Sequence, residues 1–129
     1  MTRTVFEALG GETGVRALVD TFYDRMQSDP AYAGIRALHP DDLSGSRDKL
    51  YWFLCGWSGG PGHYVQRFGH PRLRARHLPF VIRSGERDQW LHCMAQAMEA
   101  RQLEPSLRER LYTAFTQTAD WMRNHPDET

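Results

Sequence analysis

The sequence predicts an all-α domain. Three observations carry that prediction. Apolar residues recur at helical spacing in four long stretches, no stretch alternates apolar and polar residues as a half-buried strand would, and glycine and proline punctuate the periodic runs.

The elements follow in chain order. Thr4 and Glu7 stand at capping-box spacing and open a short helix that Gly10-Gly11 stops. The next helix is expected from about Gly14 to Gln27, with Val15, Leu18, Val19, Phe22 and Met26 on one face, and Asp29-Pro30 ends it. Residues 30–42 read as irregular with at most a short turn of helix, because Pro40 limits anything longer. A further helix is expected from about Ser44 to Trp57, with Leu50, Phe53, Leu54 and Trp57 on one face. Ser58-Gly59-Gly60-Pro61-Gly62 is the strongest breaker in the chain. Beyond it an undefined segment leads to a short helical piece that ends at His77, before Pro79. Ser84 is the expected N-cap of a long helix reaching about Gln102, with Trp90, Leu91, Met94 and Met98 on one side. Pro105-Ser106 opens the last helix, in which Leu107, Leu111, Phe115, Thr118 and Met122 share a face.

The chain of 129 residues suits one domain, 1–129, around one core. It carries no repeat, no low-complexity segment and no linker. Sixteen basic residues balance sixteen acidic ones, so no global field draws the chain onto nucleic acid or an anionic membrane. No apolar run approaches the roughly 18 residues of a membrane-spanning helix, and MTRTVFEALGG lacks the apolar stretch of a secretory signal. Cys55 and Cys93 form neither CxxC nor CxxCH. The expected compartment is therefore the reduced cytoplasm, and any haem would be held without thioether bonds.

The residues that suggest chemistry cluster around His77, in GHPRLRARHLPF. A lone histidine is ordinarily structural or exposed. Here Arg72, Arg74 and Arg76 crowd around it, with Leu73, Leu78 and Phe80 among them. Haem is an apolar disc with two carboxylates on one edge, so its site needs an axial nitrogen, apolar walls and cations near the rim. This segment supplies all three within ten residues. A basic nucleic-acid patch built on Arg67, Arg72, Arg74 and Arg76 is the rival reading, and the neutral net charge argues against it. A haem-free helical interaction module using the Arg72–Arg76 patch is a third. Tyr23 lies at the border of its helix's apolar stripe, Trp90 lies on an apolar helix face, and His39 sits in the irregular Leu38-His39-Pro40 stretch. Each is ordinarily a core residue, and each also carries a polar atom that a pocket would use. The other histidines show no metal-ligand spacing, and no phosphate-binding or nucleophile motif is present.

FEALGG, FYDRM, LHPDDLSGSRDKLYWFLCGWSGGP, GHPRLRARHLPF and ERDQWLHCM together resemble the truncated haemoglobins, specifically their second group. The resemblance covers roughly residues 5–122. It implies a globin-like two-over-two helical sandwich around haem b, iron protoporphyrin IX bound without a covalent link. Position by position, His77 matches the proximal iron ligand, with Leu73 and Phe80 beside it. Tyr23, next to Phe22, matches the distal tyrosine, and Trp90 the distal tryptophan. His39 matches a pocket position that carries tyrosine, histidine or phenylalanine, and Ser46 stands where longer globins place a distal histidine. Leu50 lies one turn further along over the haem, with Phe53 beyond it, and Lys49 and Arg76 are placed to reach the propionates. The implied ligands are dioxygen, carbon monoxide, nitric oxide or peroxide, with a separate reductant, and the chain would act as a monomer or homodimer. Tyr23, Trp90 and His39 would donate hydrogen bonds to a bound ligand carrying negative charge. The small Ser46 would leave the pocket edge open. Binding, storage, transport or scavenging of dioxygen stands beside a redox role, as a peroxidase or nitric oxide dioxygenase.

Overall fold

Among residues 4–125, which the computed structural model describes, every regular element is helical. The helices are α1 (Val5–Ala8), α2 (Gly11–Ser28), α3 (Ala33–Arg36), α4 (Ser44–Trp57), α5 (His63–Phe68), α6 (Leu73–His77), α7 (Ser84–Ala100) and α8 (Pro105–Met122), with a 3-10 turn at Pro30–Tyr32 between α2 and α3.

The start of the chain uses the expected capping box. Thr4 Oγ1 accepts the Glu7 N–H at 3.1 Å, and the Glu7 carboxylate accepts the Thr4 N–H at 3.2 Å. The double glycine does more than end α1. Gly10 takes φ +100° and lets α2 begin at Gly11, three residues before the expected start. The turn is so tight that a Cβ on Gly14 would stand 1.8 Å from the Leu9 carbonyl oxygen. The second glycine pair has a similar role: a Cβ on Gly60 would meet the Phe6 ring at 2.4 Å, so the end of α4 and the chain start pack face to face.

Two expectations shift. Ser84 is the first residue of α7 rather than its cap, and the preceding Arg83 N–H is accepted by the Glu86 carboxylate at 3.0 Å. The segment that periodicity leaves undefined contains α5, whose six residues span too few turns to show a stripe.

The long helices form two pairs, α2 against α4 and α7 against α8, and α2 also packs on α7. The core between them is continuous. It takes Val15, Leu18, Val19, Phe22 and Met26 from α2, Met94 and Met98 from α7, and Leu107, Leu111 and Phe115 from α8. These are the periodic faces read from the sequence. Cys55 and Cys93 are fully buried within it. The Cys93 thiol donates to the Phe22 carbonyl at 3.3 Å, and burial pushes its pKa up to about 12. Such a thiol is a small apolar filler rather than a reactive group. No described helix is long and apolar enough to cross a membrane.

Candidate functional site

The short helix α6 ends in the histidine that the sequence singles out. One turn of α6 brings the Leu73 carbonyl under the His77 ring, and Nδ1–H donates to it at 2.6 Å. That bond settles the tautomer. A carbonyl only accepts, so Nδ1 carries the proton and Nε2 keeps its lone pair, the form a metal ligand requires. The loop after His77 is held from the far end of the chain. Asn124 Nδ2 donates to the His77 carbonyl at 3.1 Å and to the Phe80 carbonyl at 2.8 Å, while its Oδ1 accepts the Ile82 N–H at 3.0 Å.

Four aromatic rings and an arginine gather around Tyr23. Tyr23 and Phe22 meet edge to face at 5.1 Å, Phe22 and Trp90 lie 5.2 Å apart, and Tyr23 meets the His39 ring edge-on at 5.7 Å. Tyr23 is only 5% exposed, and burial raises its phenol well above the ordinary value, against the opposing pull of Arg47. Its O–H is therefore protonated at any physiological pH. Arg47 stands 5.8 Å over the Tyr23 ring, anchored by Asp24 at 2.7 Å and Asp20 at 3.1 Å. Neither the Tyr23 hydroxyl nor the Trp90 indole N–H has a hydrogen-bond partner among the described residues. Both atoms keep solvent contact, so each is open to an acceptor from outside the chain.

His39 departs from expectation. Its Nδ1–H donates to the Ile35 carbonyl at 2.8 Å, and burial lowers its pKa, with Arg36 and His77 acting in the same direction. The ring is thus neutral with a bare Nε2. It is an acceptor, not a third donor.

Ser46, Leu50, Phe53 and Leu73 are half-buried. Phe80 is 42% exposed, and Leu78 and Val81 beside it are also open. Arg76 is exposed; its Nε donates to the Pro71 carbonyl at 2.8 Å, and its guanidinium lies 5.7 Å over the Tyr64 ring. Lys49 is exposed and makes no ion pair among the described residues. These features fit haem: an imidazole with Nε2 unbonded, two donors without a partner in the chain, and apolar side chains uncovered beside His77.

Comparison with known proteins agrees. Residues 4–124 match the family model of bacterial-like globins. The chain is 42% identical over 122 residues to a group 2 truncated hemoglobin of Bacillus subtilis, covering 95% of this chain and 89% of that protein. The chain belongs to the group 2 truncated haemoglobins. Its fold overlays the crystal structure of a group II truncated hemoglobin from Bacillus anthracis with a TM-score of 0.92, at 41% identity, covering 100% of this chain and 97% of that one. It also overlays a truncated oxygen-avid haemoglobin from Bacillus subtilis with a TM-score of 0.86, at 42% identity, covering 95% of this chain and all of that one. As a truncated haemoglobin, the chain is a haem globin for small gaseous ligands, with the two-over-two architecture that its helix pairs display.

Three residues of this truncated haemoglobin's site carry no sequence signal. Asn124 lies beyond the last helix, Arg47 looks like an ordinary surface arginine on α4, and Gln89 looks like a polar position on α7. Gln89 Oε1 accepts the Ile35 N–H at 3.1 Å, and a Cβ on Gly34 would meet its amide at 2.7 Å. It thereby sets α3, the helix whose Ile35 carbonyl orients His39.

Proposed function

We propose that this truncated haemoglobin holds haem b through His77 and retains dioxygen tightly, for scavenging rather than delivery. When bound, haem would supply an iron able to take a diatomic ligand. The chain supplies the rest. His77 presents Nε2, made more basic by the Leu73 carbonyl on its other nitrogen. Tyr23 and Trp90 offer an O–H and an N–H to a ligand that gains negative charge, and hydrogen bonds to a charged acceptor are worth roughly 1.5–3 kcal/mol each. His39 packs edge-on against the Tyr23 ring at 5.7 Å and offers a bare Nε2 on that side of the pocket. Arg76 and Lys49 are the cations offered to the propionates. The half-buried Ser46 leaves the pocket edge without a bulky gate.

The single observation that carries this reading is the pair of unpartnered donors, Tyr23 and Trp90, on either side of Phe22, in a chain whose His77 leaves Nε2 unbonded. The oxygen-avid relative supports it. Absorption spectra of the purified ferrous protein with and without oxygen test it, together with His77→Ala. The wild type is expected to show an oxygenated haem spectrum. The variant is expected to lose haem or to need added imidazole. Full haem retention with an unchanged spectrum in His77→Ala refutes the assignment.

A redox role is the second reading, and one observation favours it. Trp90 begins an unbroken run of ring contacts that leads away from the site, through Phe115 at 5.5 Å to Trp57 at 4.8 Å.

A further inference from the structure

Arg47 is a largely buried cation that two more exposed carboxylates hold in place. Its side chain is 18% exposed, against 40% for Asp20 and 70% for Asp24. Nη2 donates to the Asp24 carboxylate at 2.7 Å, and Nη1 donates to the Asp20 carboxylate at 3.1 Å and to the Asp20 carbonyl at 3.2 Å. Held this way, the guanidinium stands 5.8 Å from the centre of the Tyr23 ring.

The charges in this cluster do not cancel at Tyr23. A guanidinium stays charged at every working pH. Water screens the two carboxylates more than it screens the arginine, because they face it more fully. A positive field therefore falls on the phenol. Burial raises the Tyr23 phenol and Arg47 pulls it the other way, the direction such a field gives.

We propose that Arg47 is a specificity-determining residue, whose charge strengthens the Tyr23 O–H as a donor and biases the pocket toward ligands that gain negative charge, dioxygen over carbon monoxide. A cation over a phenol ring draws electron density away from the oxygen, so the O–H donates more strongly. The gain is largest against an acceptor that carries charge. Arg47 acts through Tyr23 and is a positioning residue in charge rather than in space. Asp24 opposes it: the carboxylate that fixes the guanidinium also takes away part of its field. This rests on the reading of Tyr23 as a donor to the ligand.

The test uses the haem-loaded protein and two readouts, stopped-flow oxygen dissociation and the infrared C–O stretching frequency of the carbon monoxide form, which falls as the field on the ligand becomes more positive. Arg47→Met keeps the apolar stem and removes the charge. Arg16 still ties α2 to α4 through Asp48 at 2.8 Å, so the helix pair keeps a clamp. This variant is expected to release oxygen about threefold faster and to raise the C–O frequency, with carbon monoxide release nearly unchanged. Arg47→Lys is expected to recover most of both changes. Asp24→Asn breaks the same ion pair but leaves the cation, so it is expected to slow oxygen release and lower the frequency. Opposite signs separate charge from loosening, because both variants lose the same contact. In a Tyr23→Phe background, Arg47→Met is expected to alter neither readout. Faster release in both Arg47→Met and Asp24→Asn, or an Arg47→Met effect undiminished in Tyr23→Phe, overturns the proposal and leaves Tyr23 as a donor. An oxygen release rate unchanged in Tyr23→Phe itself overturns the donor reading together with the proposal.

Discussion

The Asn124 side-chain amide donates to the His77 carbonyl oxygen at 3.1 Å, across 47 residues of chain. The same amide nitrogen holds Phe80, and its oxygen holds Ile82. A residue beyond α8 therefore pins the whole turn that follows His77.

Asn124→Ala is expected to loosen that turn without touching the distal wall. Three hydrogen bonds are lost, each worth about 1 kcal/mol net, and a partly solvated site recovers some of that from water. Haem loss to an apo-globin acceptor should accelerate by roughly tenfold, a change of about 1.4 kcal/mol, while oxygen dissociation stays close to wild type. Unchanged haem loss would mean that Leu73 and the α6 backbone hold His77 by themselves.

Trp90→Leu and Tyr23→Phe are each expected to raise the oxygen dissociation rate by about tenfold or more. The effects should fall short of additive, because both donors address one acceptor. Carbon monoxide carries less negative charge on its oxygen, so its release should change less. Stopped-flow measurement of both gases on the wild type, the two variants and the double variant separates hydrogen bonding from steric opening, which would change both gases alike. Fast wild-type oxygen release, unaltered in either variant, would point to transport instead.

His39 gives a pH dependence of stability with a defined sign. Burial holds its folded pKa below the ordinary 6.5, so the unfolded chain binds the proton more readily. This contribution is fully present above the unfolded pKa and is lost as pH falls through about 6.5 toward the folded value. His39→Phe removes it. Urea midpoints of the haem-free protein should fall less steeply between pH 7 and pH 5 in the variant than in the wild type. Parallel profiles would show that the ring binds its proton equally well folded and unfolded.

Gly14 and Gly45 both lie in helices and should respond oppositely to alanine. At Gly14 the added Cβ would stand 1.8 Å from the Leu9 oxygen, so α1 must shift. Gly14→Ala should cost several kcal/mol, on the order of other overpacking changes at about 1–3 kcal/mol or above. Gly45, in the first turn of α4, has open space around its Cβ position, and Gly45→Ala should be neutral or stabilising by up to about 1 kcal/mol. Thermal unfolding of the two variants checks the contrast.

The four long helices and their buried faces were legible in the sequence because their signals are local, and His77 was singled out on signals just as local. A stripe of 3.6-residue period, a breaker, and a histidine set among arginines and apolar residues are all read within one or two turns of chain. The quoted segments likewise pointed to the family, and comparison with relatives bears that out. What the sequence left open depends on distant partners. The early start of α2 turns on a left-handed Gly10. Six-residue α5 is too short to announce a period and packs against α4. His39 reads as a donor by residue type and becomes an acceptor only because α3 brings the Ile35 carbonyl to its Nδ1. Asn124 and His77 lie too far apart in sequence for any local pattern to pair them. Residue type sets which bonds a side chain is able to make. The tertiary structure chooses among them, because burial leaves each polar atom only the partners that packing delivers.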